Sequence, residues 1–399
     1  MATIDIFTES TQKEILNELE IQNSLVKIIA SGWNVSDWRA VQEIVRSGGG
    51  PRYFPVGTEF NVTTQSYGTL IFVVIAHNQH KNPDDSSAHT MTLLMKHVIN
   101  GMQFDSQELL WANTTSAEMP AGTYHFTSYK GDYPQDTKED GTFQFTCTKP
   151  IPVNGGFGHS RIGIWRSSYG ISNILGAYIA TYNADGTVIE SGLTLSEGSD
   201  GTDLGTFSVK AENMNVTIGK ANCTSRSGGG SNNWSQSGIR QWLNGTDTDW
   251  WLQQTVHDRK PSYAAKLGFL SDLDSSFVDV LGYVNNVTAR NIVYEDDGIT
   301  TLGGSFTTSD KVFLPSMTEV GFGNNNGVSE GSITEYYKGA SNTDRIKYDY
   351  SSTSSARAWW LRSPTYSRAY SVRLVTSSGA LDNDLSYGGY GAAAACVIY

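Results

Sequence analysis

The sequence contains little cysteine, little proline and little charge. Of its 399 residues, 3 are Cys, 10 are Pro and 17% are charged. Cys147, Cys223 and Cys396 are widely spaced and form no Cys-x-x-Cys pair. This spacing argues against a disulfide framework and against a zinc ribbon. We therefore expect three buried thiols.

Basic residues and long apolar runs are scarce as well. The chain has 28 Lys and Arg residues and 40 Asp and Glu residues, which gives a net charge of −12. A broad basic surface for binding nucleic acid is therefore not expected. The longest apolar runs, such as residues 70–76, are far shorter than the roughly 20 residues that a membrane-spanning helix needs. The first residues lack the basic and apolar regions of a signal peptide. We therefore expect synthesis in the cytoplasm and no membrane insertion.

Residues 1–50 have a helical pattern. Residues 11–29 lack Gly and Pro, and their apolar residues cover more than one side of a helix. A second helix is predicted to begin at the cap Ser36, to bury Trp38, Val41, Ile44 and Val45, and to end at the Gly-Gly-Gly-Pro sequence of residues 48–51. Two apolar sides favour a role in oligomerisation or attachment. The alternative is a helical hairpin that packs on its own domain.

Short strands are predicted after residue 51. Residues 54–76 contain two strand-like runs around a turn at residues 65–68, and residues 91–98 contain a third. Residues 113–222 contain short strand-like runs separated by turn signals such as Asp185-Gly186, which predicts a β-rich module. Helical patterns return at residues 234–243 and 272–280. Short strands follow from residue 305.

Catalytic signatures are few and unspecific. Gly327-Val-Ser329-Glu-Gly331 matches the nucleophile elbow of hydrolases, which requires a strand before it and a helix after it, but this one follows three asparagines. Four histidines lie within 21 residues, and their spacing fits no standard metal site; they are His77, His80, His89 and His97. We predict no catalytic residue, no metal and no cofactor.

The last forty residues carry the most specific motif, Ala358-Trp359-Trp360-Leu361-Arg362-Ser363-Pro364, followed by a glycine-rich tail. Residues 231–244, 287–290 and 313–316 carry further motifs of the same kind. Together they resemble the C-type-lectin-like domains of the formylglycine-generating-enzyme type, in the subgroup of variable proteins of diversity-generating retroelements from phages and prophages of gut bacteria. The resemblance covers about residues 225–399, and residues 54–105 resemble the opening strands of the same domain.

The resemblance implies an α+β chain with a C-type-lectin-like fold, N-terminal helices and an inserted all-β module. The predicted domains are residues 1–50 (helical), 51–112 (first part of the lectin-like domain), 113–222 (insertion) and 223–399 (main part). The variable ligand-binding region is placed at about residues 358–399. The usual Pro of the last strand is replaced by the alanines of residues 392–395. Calcium-dependent sugar motifs and the paired active-site cysteines are absent from the sequence, so neither activity is carried over.

The amino-acid composition of residues 365–390 agrees with this resemblance. In such retroelements corrupted template adenines convert AAC or AAT codons into codons for Tyr, Ser, Asp, Thr, Arg, Leu or Gly, but never for Lys, Glu, Gln, Met or Trp. These last five types make up 60 of 399 residues, so 26 residues should contain about four of them. Residues 365–390 contain none. An ordinary surface loop rich in Gly, Ser and Tyr is the alternative.

Tyrosines among small polar residues give this segment the composition of an antibody paratope. Since side chains alternate along a strand, part of the segment should face a ligand and part the core. The predicted binding surface is Tyr366, Arg368, Tyr370, Leu374, Thr376, Asp382, Asn383, Asp384, Leu385, Tyr387 and Tyr390. The predicted core is Trp359, Trp360, Leu361, Val372, Val375, Ala380, Val397 and Ile398.

The sequence therefore predicts a ligand-binding protein without enzymatic activity that displays a hypervariable surface. The expected partner is a protein or glycan on a target cell surface, and self-association through the N-terminal helix is a further expectation. The expected location is a phage tail, after synthesis in the bacterial cytoplasm without a signal peptide. Two alternatives remain: a fixed tail or baseplate component, and a cofactor-free hydrolase that uses Ser329 or a cysteine.

Overall fold

The computed structural model describes residues 9–30, 35, 38–128, 141–159, 178–207, 220–222, 224–292 and 303–399. In these residues the protein is a strand-rich α+β structure with several small sheets and few, mostly short helices. The predicted α+β class is thereby confirmed. No helix in the described ranges is long and apolar enough to cross a membrane.

The two longest helices of the described residues lie near the N-terminus. Helix α2 buries Trp38, Val41, Ile44 and Val45, as predicted, while the predicted cap Ser36 lies outside the described residues. The Gly-Pro pair at residues 50–51 begins a further helical turn, because Pro fits the first turn of a helix. The helices are α1 Glu9–Ala30, α2 Trp38–Arg46, α3 Gly50–Tyr53, α4 Thr224–Gly229, α5 Gly238–Leu243, α6 Phe269–Asp272 and α7 Ser275–Val278, with 3-10 turns at Glu335–Tyr337 and Thr343–Arg345.

Helix α1 contacts the rest of the protein on one side only. Ile21 is buried, and Glu18 accepts a hydrogen bond of 2.6 Å from the Tyr53 hydroxyl. The other apolar side is open to solvent, where side chains are 43% to 64% exposed; they are Ile15, Leu16, Leu19 and Val26. One apolar side is thus packed on its own domain and the second is unpartnered among the described residues.

Early and late strands combine in one sheet. The early strands are β1 Glu59–Thr63, β2 Thr69–His77, β3 Met91–Met95 and β4 Ile99–Met102. In the sheet order β1-β2-β3-β23-β16, the last strand, β23 Ala395–Ile398, pairs with β3 on one side and with β16 Val312–Phe313 on the other. Since β3 has neighbours on both edges and cover on both faces, all five of its residues are buried.

The middle of the chain forms two sheets with their own hydrophobic cluster. Its strands are β5 Trp111–Ala112, β6 Gly122–Ser128, β7 Gly141–Cys147, β8 Gly156–His159, β9 Tyr178–Tyr182, β10 Val188–Thr194, β11 Ser196–Glu197, β12 Thr202–Phe207 and β13 Lys220–Ala221. They are ordered β10-β9-β8-β5-β13 and β11-β7-β6-β12. Phe126, Phe145 and Phe157 pack together in this cluster.

The main core joins residues on both sides of this middle segment. It contains buried side chains from residues 21–104 and from residues 234–398, whereas the second cluster contains residues 110–204. The two flanking parts therefore share a core as well as a sheet. The predicted domain limits at residues 50, 112 and 222 stay predictions.

The C-terminal strands are divided among several sheets. They are β14 Val284–Ala289, β15 Ser305–Asp310, β16 Val312–Phe313, β17 Lys347–Asp349, β18 Ser352–Arg357, β19 Trp359–Pro364, β20 Ser371–Val375, β21 Leu381–Leu385, β22 Tyr390–Ala392 and β23 Ala395–Ile398. Strands β16 and β23 belong to the sheet described above, β14 pairs with β15, β17 pairs with β18, and β19 to β22 join β4 in a second five-stranded sheet of the main core. The order of this second five-stranded sheet is β21-β20-β19-β22-β4, so β21 lies at an edge. The central strand β19 is buried along its whole length.

Lys347 is a buried ionisable side chain in this core. Its Nζ atom donates hydrogen bonds to the carbonyl oxygens of Met95, at 2.5 Å, and Lys96, at 3.3 Å. The side chain is 5% exposed and forms no ion pair among the described residues. Burial lowers the pKa of Lys347 to about 7, because a low-polarity surrounding disfavours the charged form.

This shift predicts a pH-dependent stability. Between about pH 7 and pH 10 the unfolded chain holds a proton on Lys347 that the folded chain has lost, so the free energy of unfolding gains about 1 kcal/mol per pH unit from this group. The variant Lys347→Met lacks this gain. Urea unfolding measures the free energy of unfolding of both proteins across this range. The stability of Lys347→Met relative to the natural sequence should be highest near pH 7 and should fall toward pH 10. A difference between the two proteins that is constant with pH would contradict the account.

Candidate ligand-binding surface

The candidate surface is built on the hairpin β20–β21. The register pairs Leu374 with Asp382, Arg373 with Asn383 and Val372 with Asp384. Directly paired residues of antiparallel strands lie on the same face of the sheet. One face, which we call the acidic face, therefore carries Asp382 and Asp384. The opposite face, the donor face, carries Arg373 and Asn383.

The hairpin rests on the buried tryptophans of β19. Trp359 and Trp360 are both fully buried, as predicted. The indole N–H of Trp360 donates to the Met102 carbonyl at 2.8 Å, and its ring lies edge-on to the ring of Tyr390 at 4.9 Å. Because β19 is the neighbour of β20, these rings fix the position of the hairpin.

A buried ion pair fixes the far end of β19. The Arg362 guanidinium contacts both carboxylate oxygens of Glu319, at 2.6 and 2.8 Å, and neither side chain is more than 3% exposed. Burial alone would raise the pKa of Glu319, but the charge of Arg362 outweighs it and holds that pKa far below its usual range. His80 completes the cluster, with Nε2 3.1 Å from Glu319. His80 is thus a partly buried member of this ion-pair cluster.

The loop between β19 and β20 is held by Asn232. The side-chain amide of Asn232 lies 2.5 Å from the carbonyl of Arg368, 2.9 Å from that of Ser371 and 3.3 Å from that of Thr365. Asn291 in turn donates to the Asn232 side-chain oxygen at 2.8 Å. The loop conformation is therefore set by buried amides rather than by the loop itself. Asn232 lies in one of the motifs that carry the family resemblance, but its role was not predicted.

Gly229 of helix α4 supports the next segment, after β21. The Ser386 hydroxyl donates to the Gly229 carbonyl at 2.7 Å, and the Tyr387 amide donates to it at 3.3 Å. A side chain on Gly229 would come within 2.6 Å of the Cβ atom of Tyr370. Both loops of the candidate surface thus share supports from residues 229–232.

Two predicted binding residues are in the core. Tyr370 is 1% exposed and packs against Gly229, and Leu374 is 4% exposed and lies opposite Trp360 in the register. The prediction of outward side chains was wrong for both. For Leu374 the error was to treat β20 as a strand with one face in solvent, whereas the core covers both faces of most of β20. Tyr370 lies just before β20 and packs against Gly229. Ala380, predicted as core, is only partly buried.

The other predicted binding residues reach solvent, but not all in one place. Tyr366 and Arg368 lie in the loop before β20, and Tyr387 lies in the neighbouring loop after β21. Thr376 lies in the turn at the opposite end of the hairpin, where its amide donates to the Ala380 carbonyl. The remaining ones lie on or beside the edge strand; they are Asp382, Asn383, Asp384, Leu385 and Tyr390.

The acidic face protects the edge of the sheet. The Asp382 carboxylate accepts from the amide of Asn383 at 2.8 Å, and the Asp384 carboxylate accepts from the amide of Leu385 at 2.7 Å. Carboxylates that occupy amides of an edge strand oppose pairing with another strand. Asp384 also accepts from the Tyr390 hydroxyl. Burial and this hydrogen bond raise the pKa of Tyr390 to about 12.

The other candidate motifs do not form a reactive site in the described residues. Ser329 is exposed in an irregular loop without the strand and helix of a nucleophile elbow, and its hydroxyl donates to the Gly331 carbonyl at 2.6 Å. No three His, Cys, Asp or Glu side chains of the described ranges are grouped to hold a metal. Cys147 and Cys396 are buried free thiols, as predicted, and burial raises the pKa of Cys396. Cys223 lies outside the described residues.

Comparison with known proteins gives one match. Residues 210–398, a little under half of the chain, match the family model of a domain of unknown function (DUF6273). No curated protein matches the chain, and no solved structure matches it. The match includes all of the hairpin β20–β21 and its supports in β19 and residues 229–232.

Proposed function

We propose that the protein is a ligand-binding protein whose C-terminal region, about residues 358–399, is a variable surface diversified by a retroelement. The observation that carries the proposal is the composition of residues 365–390. This segment lacks all five residue types that mutation of AAC and AAT codons cannot produce. The residue types at its fully or partly exposed positions, such as Tyr366, Asp382 and Asn383, are compatible with that origin.

The rigidity of the support favours the same function. A surface can change its exposed side chains without loss of the fold only if buried residues elsewhere determine its backbone. Asn232 binds backbone carbonyls of one loop, and the Gly229 carbonyl accepts from the Tyr387 amide and the buried Ser386 hydroxyl of the other, so neither support depends on the solvent-facing side chains. The strand that carries the buried tryptophans, β19, pairs directly with β20 of the hairpin. The ligand is proposed to be a protein or a glycan on a target cell surface.

The finer fold is part of the proposal. A C-type-lectin-like domain interrupted by residues 113–222 accounts for the core that joins residues 54–104 to residues 234–398. The pairing of β23 with β3 and of β22 with β4 likewise brings the two flanking parts together. The exposed apolar side of α1 favours self-association through that helix, and display on a phage tail agrees with such assembly.

Sequencing the surroundings of the gene tests the proposal. We expect a near-identical, non-coding copy of the sequence that encodes the C-terminal region, together with a gene for a reverse transcriptase. A locus with neither would reject diversification. The protein would then be better described by the second candidate, a fixed tail or baseplate component, which the exposed side of α1 also supports.

A further inference from the structure

The donor face of the hairpin contains a charged group, Arg373, without a partner among the described residues. Arg373 is partly exposed, its Nε atom is buried, and no described residue forms a hydrogen bond or an ion pair with its guanidinium. Asp382 and Glu330 attract Arg373 electrostatically but do not contact it. Arg368, in the neighbouring loop, repels it with a like charge. A guanidinium that is half removed from water and left unpaired is costly. Such a group is stabilised when an anion binds.

Asn383 places a second donor beside this guanidinium. It lies directly opposite Arg373 in the register, on the same face of the sheet. The Ser371 hydroxyl donates to the side-chain oxygen of Asn383 at 2.8 Å, while the Thr365 hydroxyl donates to Ser371 at 3.3 Å. This chain of hydroxyls orients the Asn383 amide with its oxygen inward. Its NH₂ group, which has no partner among the described residues, is therefore free to donate to a ligand.

We propose that Arg373 and Asn383 form a binding site for a carboxylate group of the ligand. The planar guanidinium matches the two oxygens of a carboxylate, and the Asn383 NH₂ group supplies a third donor beside it. The aspartates of the same edge strand, Asp382 and Asp384, disfavour a doubly charged phosphate. The site rests on the proposed function, because it assigns a ligand class to the proposed binding surface.

Binding can be measured by NMR on the full chain, with the Asn383 side-chain amide and the Arg373 Nε–H group as probes. N-acetylglutamate α-amide and free glucuronate, each with one carboxylate, serve as the two sources of carboxylate, and N-acetylglutamine amide and glucose serve as their neutral counterparts. We expect saturable shifts of both probes with one or both carboxylates and none with the neutral compounds. Which carboxylate binds more tightly decides between an acidic protein and an acidic glycan.

Three variants make the test specific. Arg373→Gln removes the guanidinium, and Asn383→Asp keeps the shape but places a competing carboxylate opposite Arg373. Each should weaken carboxylate binding at least about tenfold, the effect expected for a lost charge-assisted hydrogen bond. Arg357→Gln, an exposed arginine of β18, is the matched control and should bind as the natural sequence does.

Two results would overturn the site. The first is the absence of saturable shifts with either carboxylate. The second is an equal loss of affinity in all three variants, which indicates unspecific attraction of anions. The outcome is distinguishable from that of the gene-locus experiment: carboxylate binding without a retroelement would indicate a fixed site, and a retroelement without carboxylate binding would leave the variable surface with another ligand class.

Discussion

The variant Trp360→Ala is expected to lose about 3–5 kcal/mol of its free energy of unfolding, the usual cost of truncating a fully buried aromatic side chain. Trp360 is fully buried, contacts the rings of Phe104 and Tyr390, and donates a hydrogen bond to the Met102 carbonyl. Its loss leaves a cavity and an unsatisfied carbonyl between β19 and β4. Urea unfolding followed by tryptophan fluorescence or circular dichroism measures the change.

Tyr366→Ala is the control on the candidate surface. Tyr366 is partly exposed, and the structure uses its backbone carbonyl, not its side chain, to accept from Ile292. We expect its stability within about 0.5 kcal/mol of the natural sequence, as for ordinary surface positions. The assignment of scaffold and surface is inverted if Tyr366→Ala unfolds the protein while Trp360→Ala leaves its stability unchanged.

Arg362→Met should cost a similar amount, about 3–5 kcal/mol at pH 7, because it leaves the Glu319 carboxylate buried without its cation. Both oxygens of Glu319 contact Arg362 in the native structure. The size of the loss should depend on pH. In the natural sequence the lowered pKa of Glu319 stabilises the fold above the usual carboxyl pKa, and this stabilisation fades as the pH falls. In the variant, burial favours protonated Glu319, so the difference between the two proteins should shrink toward pH 4.

The double variant Arg362→Met, Glu319→Gln tests the cause. Glutamine carries no charge, so the double variant should be more stable at pH 7 than Arg362→Met alone. Stability measurements by urea unfolding at pH 7 and pH 4 compare the three proteins. If Arg362→Met were as stable as the natural sequence at both pH values, the ion pair would not be what fixes the end of β19.

The sequence predicted local features of the fold well. Alternation and turn signals located β1 and β2, and the apolar spacing of residues 38–45 predicted the buried side of α2. The tryptophans of β19 were expected in the core because large aromatic side chains bury much apolar area. Each of these predictions depends on residues within a few positions of one another, which a pattern can capture.

The supports of the candidate surface could not be predicted, because they join distant parts of the chain. Asn232 binds carbonyls more than 130 positions later, and Glu319 pairs with Arg362 across 43 positions. The burial of Tyr370 depends in the same way on Gly229. Alternation along β20 therefore predicted a solvent-facing side chain for Leu374, which is buried. Alternation shows which residues share a face of the strand but not what covers that face.

Codon-resolved sequencing of this gene in a bacterial or phage population tests the central claim most directly. Exposed and buried positions alternate closely within residues 365–390, so the buried ones serve as internal controls. The account predicts an excess of substitutions at partly exposed positions such as Tyr366, Arg368 and Asn383, and none at the buried Tyr370 and Leu374. An excess that is spread equally over exposed and buried positions, or no excess over the rest of the gene, would contradict a variable surface on a fixed scaffold.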